Sequence, residues 1–522
     1  MNGGLNANAG VGLLSAPSLW QLLEQRVALT PDSTFLIEAA SDSRVSFGEF
    51  HHQALALAAW LHEKGVRRDS VVAWQLSTSI EAVLLAFALV RLGAIQAPII
   101  HLYRERELTE ILRQAKSQFL IVPADAAHLS MAQTVVAALP ASATVLCLSQ
   151  PPASAVPLPE SVTDKGETVR WYYFTSGTTS KPKGARHTDQ TLMAGSRHMA
   201  VALDVTEADV GSIGYPIGHI GGTLYCGMAL MAGMAVVLLD KYIPANVVTA
   251  FRRYGVTLGG GSTAHYQMLL AEQEKTGETP LIPTMTVLAG GGAAKPAGLF
   301  GQVRARLGAT IVHAYGMTEA PISANNSRRG SDDQLTHSDG MPMPGLEVRI
   351  VDVAGAPVAP GQSGEILLRG PNVCKGYLDR QQTADAFDSE GFLHTGDVGM
   401  IRADGNLCVT GRIKDIIIRK GENISAREIE ELLLDHPAVR DVAVIGLPDA
   451  ERGELVCAVA ELEDGAKTLS FDDMVNHLAA KQLMRQKIPE RLEIIDRLPR
   501  NEGLQKVVKA ELRARYAAPV EN

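Results

Sequence analysis

The sequence predicts an α/β protein: a large N-terminal domain of doubly wound, mainly parallel sheets, a β-rich subdomain, and a small α+β C-terminal domain. Three observations carry this. Up to about residue 330, short β-branched and aromatic runs alternate with helical patterns of about ten residues or more, the rhythm of strand–helix–strand crossovers. Beyond that the pattern changes to short strands with turns, and from about Ile413 to a compact α+β pattern with a charged tail. The 522 residues also exceed what one hydrophobic core holds. The expected division is 1–16 as a disordered lead-in, 17–412 as the N-terminal domain with its β-rich part at about 331–412, and 413–522 as the C-terminal domain.

In chain order, Pro17 to Gln25 and Phe47 to Gly65 read as helices; in the second, Phe50, Leu55, Leu57 and Leu61 recur near helical spacing. Ser70–Gln75 reads as a strand, Ser79–Leu92 as a helix, Ala94–Ile100 as a strand, Glu105–Ala115 as a helix and Phe119–Pro123 as a strand. Ser149 to Pro159, rich in Pro, Ser and Ala, reads as a surface connection before the strand Val169–Phe174. A second alternation follows: strand Val236–Leu239, helix Ala245–Tyr254, strand Val256–Gly259, helix Thr263–Lys275, then strands Val287–Gly290 and Thr310–Ala314. Open α/β sheets bind ligands at the carboxyl ends of their strands. Gly290-Gly291-Gly292 and Tyr315-Gly316-Met317-Thr318-Glu319 are expected there. The β-rich part is read from Glu347–Val353, Glu365–Arg369, Val398–Ile401 and Leu407–Thr410.

Composition narrows the function. Hydrophobic content of 46% with 20% charged residues is ordinary for a globular protein. A net charge of −9 without a basic run argues against nucleic acid as a partner. Cys147, Cys226, Cys374, Cys408 and Cys457 are scattered without CxxC spacing, which disfavours a disulfide scaffold or zinc site and suits a cytoplasmic protein. Met1 to Gly12 lacks the basic start and apolar core of a signal peptide. The apolar run Ile220–Leu239 is broken by Gly221, Gly222, Gly227 and Gly233, and Arg91 interrupts Ala82–Ile100. Both read as buried elements rather than membrane spans.

Thr175-Ser176-Gly177-Thr178-Thr179-Ser180-Lys181-Pro182-Lys183-Gly184 carries the clearest chemistry. Small residues let backbone N–H groups approach phosphate oxygens, hydroxyls add donors, and lysine supplies charge. The Walker A spacing fails, because Pro182 stands where the second glycine belongs and Gly184 where Ser or Thr should follow the lysine.

Further stretches follow in a definite order: Pro216-Ile217-Gly218-His219, Gly291-Gly292-Ala293-Ala294, Tyr315-Gly316-Met317-Thr318-Glu319, Gly364-Glu365 with Arg369-Gly370, and His394-Thr395-Gly396-Asp397. Gly411-Arg412-Ile413-Lys414-Asp415, Gly421-Glu422-Asn423-Ile424 and Glu428-Ile429-Glu430 complete the series. Together with the loop they resemble the adenylate-forming superfamily of acyl-CoA synthetases, peptide adenylation domains and luciferases, roughly from Pro17 to Arg513. That resemblance implies a carboxylate attacking the α-phosphate of ATP to give acyl-AMP, which a thiol then cleaves. It implies that Thr175, Ser176, Gly177, Thr178, Thr179 and Lys183 hold the β- and γ-phosphates, Glu319 ligates Mg²⁺, and Thr318 bonds the α-phosphate. Tyr315 and the turn Gly291, Gly292, Ala293, Ala294 would sandwich adenine, Asp397 would accept the ribose hydroxyls, and Arg412 would support them. His219 would gate the acid site. Lys414 would be the hinge of a mobile C-terminal domain, with Gly421 against the pantetheine arm.

The ending departs from the pattern. Pro499-Arg500-Asn501-Glu502-Gly503-Leu504-Gln505-Lys506 puts Gln505 on the catalytic lysine position unless one residue is inserted, which aligns Lys506. Insertion costs little, so Lys506 is preferred, with Lys509 as a surface lysine. Ala426, Asp189 and Lys295 are smaller departures.

No acidic residue lies between Tyr215 and Tyr225, so an α-ammonium group would lack a partner there, which disfavours amino acids. Leu258 to His265, small and neutral with three glycines, suggests room for a bulky apolar acid. The expected activity is an acid–CoA ligase using ATP, Mg²⁺ and coenzyme A on a medium-chain, alicyclic, aromatic or steroid-derived acid; the alternative is an adenylase loading a carrier protein in trans. A homodimer stays open.

Overall fold

The computed structural model describes residues 12–140, 142–148, 157–161, 165–175, 182–277, 280–291, 297–419, 422–449, 452–463, 465, 468–500 and 507–517. Among these, four sheets organise the chain. A six-stranded sheet runs in the order Thr144–Leu148, Phe119–Pro123, Val71–Trp74, Ile95–Pro98, Val169–Thr175, Lys183–Thr188. All its pairings are parallel except the last, where Val169–Thr175 and Lys183–Thr188 form an antiparallel edge. A nine-stranded sheet has a parallel centre, from Thr34–Glu38 to Thr310–Met317, and antiparallel strands at both edges.

Helices fill the space between these sheets. Ile80–Leu92 and Ile220–Ala232 are buried almost all round, and one core cluster joins them to Val72, Trp74 and Trp171 of the first sheet and Phe35, Val236 and Leu238 of the second. A helix apolar on every face belongs in such a layer. The Ile80–Leu92 helix is fixed at its ends by Ser79, whose side chain accepts from Ala82 N, and by Gly93 in the left-handed conformation (φ 65°). Ile220–Leu239 divides likewise: helix to Ala232, Gly233 at φ 83°, then strand Ala235–Leu238. No helix among the described residues is long and apolar enough to cross a membrane.

A four-stranded antiparallel sheet follows (Glu347–Val351, Gly364–Arg369, Leu393–Ile401, Leu407–Arg412), then a five-stranded one built around the Val439–Asp449 and Gly453–Leu462 pair. The helix Ala426–Leu433 packs between that last sheet and Leu407–Arg412, and Ser425 Oγ donates to Thr410 O at 2.7 Å. All five cysteines are free, and Cys226, Cys374 and Cys457 are buried.

Several boundaries differ from expectation for physical reasons. The strand expected at Val256–Gly259 lies at Leu258–Gly261, because Val256 N bonds back to Phe251 O at 3.0 Å and closes the preceding helix. Thr310 continues as strand to Met317, so Tyr315 and Gly316 sit inside it. The helices Ala126–Ala137 and Asp189–Leu203 and the strands Thr34–Glu38 and Lys183–Thr188 were not read from the sequence. Asp189 is buried, with one oxygen accepting from Trp171 Nε1 (2.8 Å) and the other from Leu19 N (3.0 Å). It ties the first helix to the sheet.

Candidate active site

Thr175 and Lys183 face each other across the antiparallel edge of the six-stranded sheet, the last pair before the connection. Ser176, Gly177, Thr178 and Thr179 lie outside the described residues. Lys183 projects its ammonium over the Tyr377 ring, 5.5 Å from the centroid. Backbone bonds seat that tyrosine: Lys375 N to Arg186 O (2.7 Å), Arg186 N to Gly376 O (2.9 Å) and Leu378 N to Gly184 O (2.8 Å). Its hydroxyl donates to Glu319 Oε1 at 2.7 Å. Burial, then the Glu319 carboxylate, push the Tyr377 phenol well above its ordinary pKa, so it remains a donor.

Thr318 and Glu319 form the two-residue turn between Thr310–Met317 and Ala320–Asn325, with Met317 paired to Ala320. Glu319 is buried (5% exposed), and its carbonyl accepts from Cys374 N at 2.8 Å. Close by, the β-branched Ile322 adopts φ 51°, a costly conformation for such a residue. Gly316 is obligatory beside it, since a Cβ there would lie 2.4 Å from Ile322 N.

Asp397 lies inside the strand Leu393–Ile401, directly opposite Arg412. Its Oδ2 accepts from the Tyr315 hydroxyl (2.8 Å) and its Oδ1 from Arg412 Nε (2.9 Å). Asp397 is 4% exposed and Tyr315 8%, whereas the Arg412 side chain is 47% exposed. Burial, then Asp397, raise the Tyr315 phenol far above its usual pKa. Thr395 Oγ1 accepts from Asp397 N (3.0 Å), and Glu365 accepts from Gly396 N (3.2 Å), steadying the strand at this point.

His219 caps the helix Ile220–Ala232: its Nδ1 accepts from Gly221 N at 3.1 Å, which places the proton of the neutral ring on Nε2. With Thr318, Ile220, Ile100, Tyr103 and Phe174 it lines a cavity of about 10 Å³, space for a single water.

Of the glycines read as making room for the acid, Gly259 and Gly261 face the Leu288 and His265 side chains at 2.8 and 2.9 Å from an added Cβ, and Gly260 faces backbone; Gly290 beside them is crowded too. A Cβ on Gly260 would lie 2.3 Å from Ser212 O, and one on Gly290 only 1.6 Å from Gly261 O. At Gly260 and Gly290 that space is already filled by neighbouring backbone. Gly291 ends its strand against Ala314 O, while Gly292, Ala293 and Ala294 lie outside the described residues.

Arg412 ends one strand, and Lys414 follows in a short 3₁₀ turn, Ile413–Asp415, exposed at the edge of the last sheet. Gly421 and Lys506 lie outside the described residues; among the described ones, Arg500 bridges Val507 and Val508 N donates to Pro499 O at 2.8 Å. Lys509 is no surface lysine. Its ammonium pairs with Glu430 Oε1 at 2.7 Å, and the two side chains are 18% and 14% exposed.

Tyr377 is the residue sequence reading missed. It stands in an irregular segment without periodicity, and the pair Gly376-Tyr377 between turn residues was the available signal.

Known proteins resemble this chain in sequence and fold. Residues 23–378 match the model of the AMP-binding enzyme family, and 428–503 match the AMP-binding enzyme C-terminal domain. The medium-chain fatty-acid–CoA ligase of Escherichia coli K12 is 32% identical over 506 residues, covering 94% of this chain and 89% of that one. A feruloyl-CoA synthase of an Amycolatopsis species is 30% identical, covering 94% of this chain and 98% of that one. The crystal structure of ATP-bound MatB from Rhodopseudomonas palustris superposes with a TM-score of 0.86 at 27% identity, over 95% of this chain and 99% of that one.

Proposed function

This chain belongs to the AMP-binding enzyme family and is an acyl-CoA ligase using ATP and coenzyme A, and from that premise we propose its substrate and the part each residue plays. The substrate is a hydrophobic carboxylic acid: medium-chain, alicyclic, aromatic or steroid-derived. Supporting this, Tyr215 to Tyr225 bring no carboxylate to the His219 region, and the adjoining wall is Ile100, Phe174 and Ile220. The relatives are named for a medium-chain fatty acid and a feruloyl group.

In the first step an acid oxygen attacks the α-phosphorus, the α–β bridging bond breaks, and pyrophosphate leaves with acyl-AMP remaining. Asp397, oriented by Tyr315 and Arg412, accepts the ribose hydroxyls through lone pairs those two donors leave available. Tyr315 and the 291–294 turn flank adenine. Thr318 donates to the α-phosphate, while Thr175, Lys183 and the 176–179 backbone hold the β- and γ-phosphates. Lys506 steadies the charge developing on the α-phosphate, and His219 gates the acid. In the second step the thiol of coenzyme A attacks the acyl carbon and AMP departs. Rotation about Lys414 would exchange Lys506 for Gly421 at the site, with 413–522 moving as one domain.

Glu319 fits Mg²⁺. It offers one hard carboxylate beside a threonine hydroxyl, which suits a cation that takes few protein ligands and keeps phosphates and water. Bound there, Mg²⁺ would neutralise phosphate charge.

The observation that carries the assignment is the preformed Tyr315–Asp397–Arg412 set, whose Tyr315 stands on the hairpin that Thr318 and Glu319 close. A panel of carboxylic acids assayed for pyrophosphate release with ATP, Mg²⁺ and coenzyme A tests it. Apolar acids should be turned over and amino acids should not. Repeating the assay with a phosphopantetheinyl carrier protein separates a CoA ligase from a carrier-loading adenylase.

A further inference from the structure

The turn Thr318–Glu319 is not specified by its own sequence. Two-residue hairpin turns ordinarily use Gly, Asn or Asp with positive φ at one or both positions, and neither residue here has positive φ. Its position must therefore come from outside the hairpin. One brace is the 374–377 segment described above. The other is His187, at the end of the Lys183–Thr188 strand.

His187 is completely buried. Its Nε2 lies 2.8 Å from Thr318 O and its Nδ1 2.9 Å from Thr191 Oγ1, while the Tyr173 ring stands edge-on at 6.2 Å. A carbonyl can only accept, so Nε2 carries the proton and Nδ1 is left as an acceptor facing the Thr191 hydroxyl, whose one proton it shares with Thr188 O at 2.8 Å. Burial lowers the imidazole pKa to about 4, keeping the ring neutral through the physiological range. The same short strand thus begins with Lys183, over the Tyr377 ring, and holds the back of the Thr318 peptide near its end.

We propose that His187 is a positioning residue for adenylation, its Nε2–H holding the Thr318 carbonyl and so setting where the Thr318 hydroxyl and Glu319 carboxylate meet the phosphates. It rests on the phosphate role proposed above for Thr318. His187 touches no reacting atom in this scheme and exchanges no proton.

The test compares His187→Leu, which removes the donor, with His187→Gln, whose amide N–H can reach the same carbonyl, and with Thr318→Ala. Two readouts are taken: kcat for AMP formation with the best acid of the panel, and the Kd of α,β-methylene-ATP with Mg²⁺ by calorimetry. Loss of a positioning bond should lower kcat about 10- to 100-fold in His187→Leu. The analogue Kd should shift by less than about threefold, and His187→Gln should retain kcat within about threefold of the parent. Activity should show no ionisation near pH 6.5 that His187→Gln removes. Unchanged kcat in His187→Leu, or equal damage in His187→Gln, overturns the proposal. Unchanged kcat in Thr318→Ala instead removes the phosphate role beneath it. Should His187→Leu fail to fold, Thr191→Val frees the ring to turn. A fall in kcat of about 3- to 10-fold at constant analogue Kd supports the brace, and none refutes it.

Discussion

Replacing Asp397 by Asn and by Ala separates its two jobs. Its carboxylate accepts from Tyr315 and Arg412 at 2.8 and 2.9 Å and, in the proposed complex, from both ribose hydroxyls. Asn keeps one acceptor oxygen for the buried Tyr315 hydroxyl but loses the charge and the second acceptor. Arg412 is about half exposed and falls back on water at little cost. The loss is then confined to the charge-assisted ribose bonds, about 2–3 kcal/mol, or roughly a 30- to 150-fold fall in kcat/KM for ATP. Ala causes the same functional loss and also strands the Tyr315 hydroxyl, at a further cost of about 1–3 kcal/mol in stability. Pyrophosphate release against ATP concentration, at saturating acid, reads the first effect, and thermal unfolding reads the second. An Asn variant whose ATP dependence stays within twofold of the parent would refute the ribose assignment. Equal stability of the two variants would refute the Tyr315 accounting.

Four further outcomes are expected. Tyr377→Phe keeps the ring beneath Lys183 but removes the 2.7 Å bond to Glu319; kcat/KM for ATP should fall about 10- to 100-fold and the half-saturating Mg²⁺ concentration should rise, with Mn²⁺ affinity by electron paramagnetic resonance as the activity-independent check. Lys506→Ala should abolish acid-dependent AMP formation while sparing thioester formation from presynthesised acyl-AMP. Lys509→Ala should instead cost about 3 kcal/mol in stability by leaving the largely buried Glu430 carboxylate without its cation, with little change in turnover per folded molecule. His187 and His198 are buried, and desolvation lowers both folded pKa values to about 4. The unfolded rings protonate near pH 6.5, so this stability is complete above pH 6.5 and is lost as pH falls toward 4. Each histidine should cost about 2 kcal/mol between pH 7 and pH 5. The double Gln variant should show a visibly flatter melting temperature across that window, and an unchanged slope would discount the effect.

How far the sequence reads depends on whether a residue's role is local. Glu105–Ala115 and Phe119–Pro123 are found where periodicity and composition put them, because one face or the whole segment is apolar. Ser79 and Gly93 mark the ends of the buried helix through capping chemistry that operates within a turn. Pairing across the chain is a different matter. Lys183–Thr188 looks like the tail of a polar loop, and becomes a strand only because Val169–Thr175 lies beside it. That Asp397 stands directly opposite Arg412 follows only from the pairing of Leu407–Arg412 with its strand. Tyr377 carries no periodic signal, since it is aimed at Glu319 by bonds to a strand almost two hundred positions earlier. The helix Asp189–Leu203 was findable: Thr188 accepts from Thr191 N, a local capping pattern.

The crowded glycines of the central sheet bear on how this enzyme could be retargeted to other acids. With Gly260 and Gly290 each facing a neighbouring carbonyl oxygen far inside van der Waals contact for an added carbon, mutant libraries at those strand positions would consist chiefly of molecules that fail to fold. Diversity spent on Phe174 and Tyr103, half-buried side chains that border the small cavity beside His219, meets no such backbone clash and is the better place to sample binding preferences.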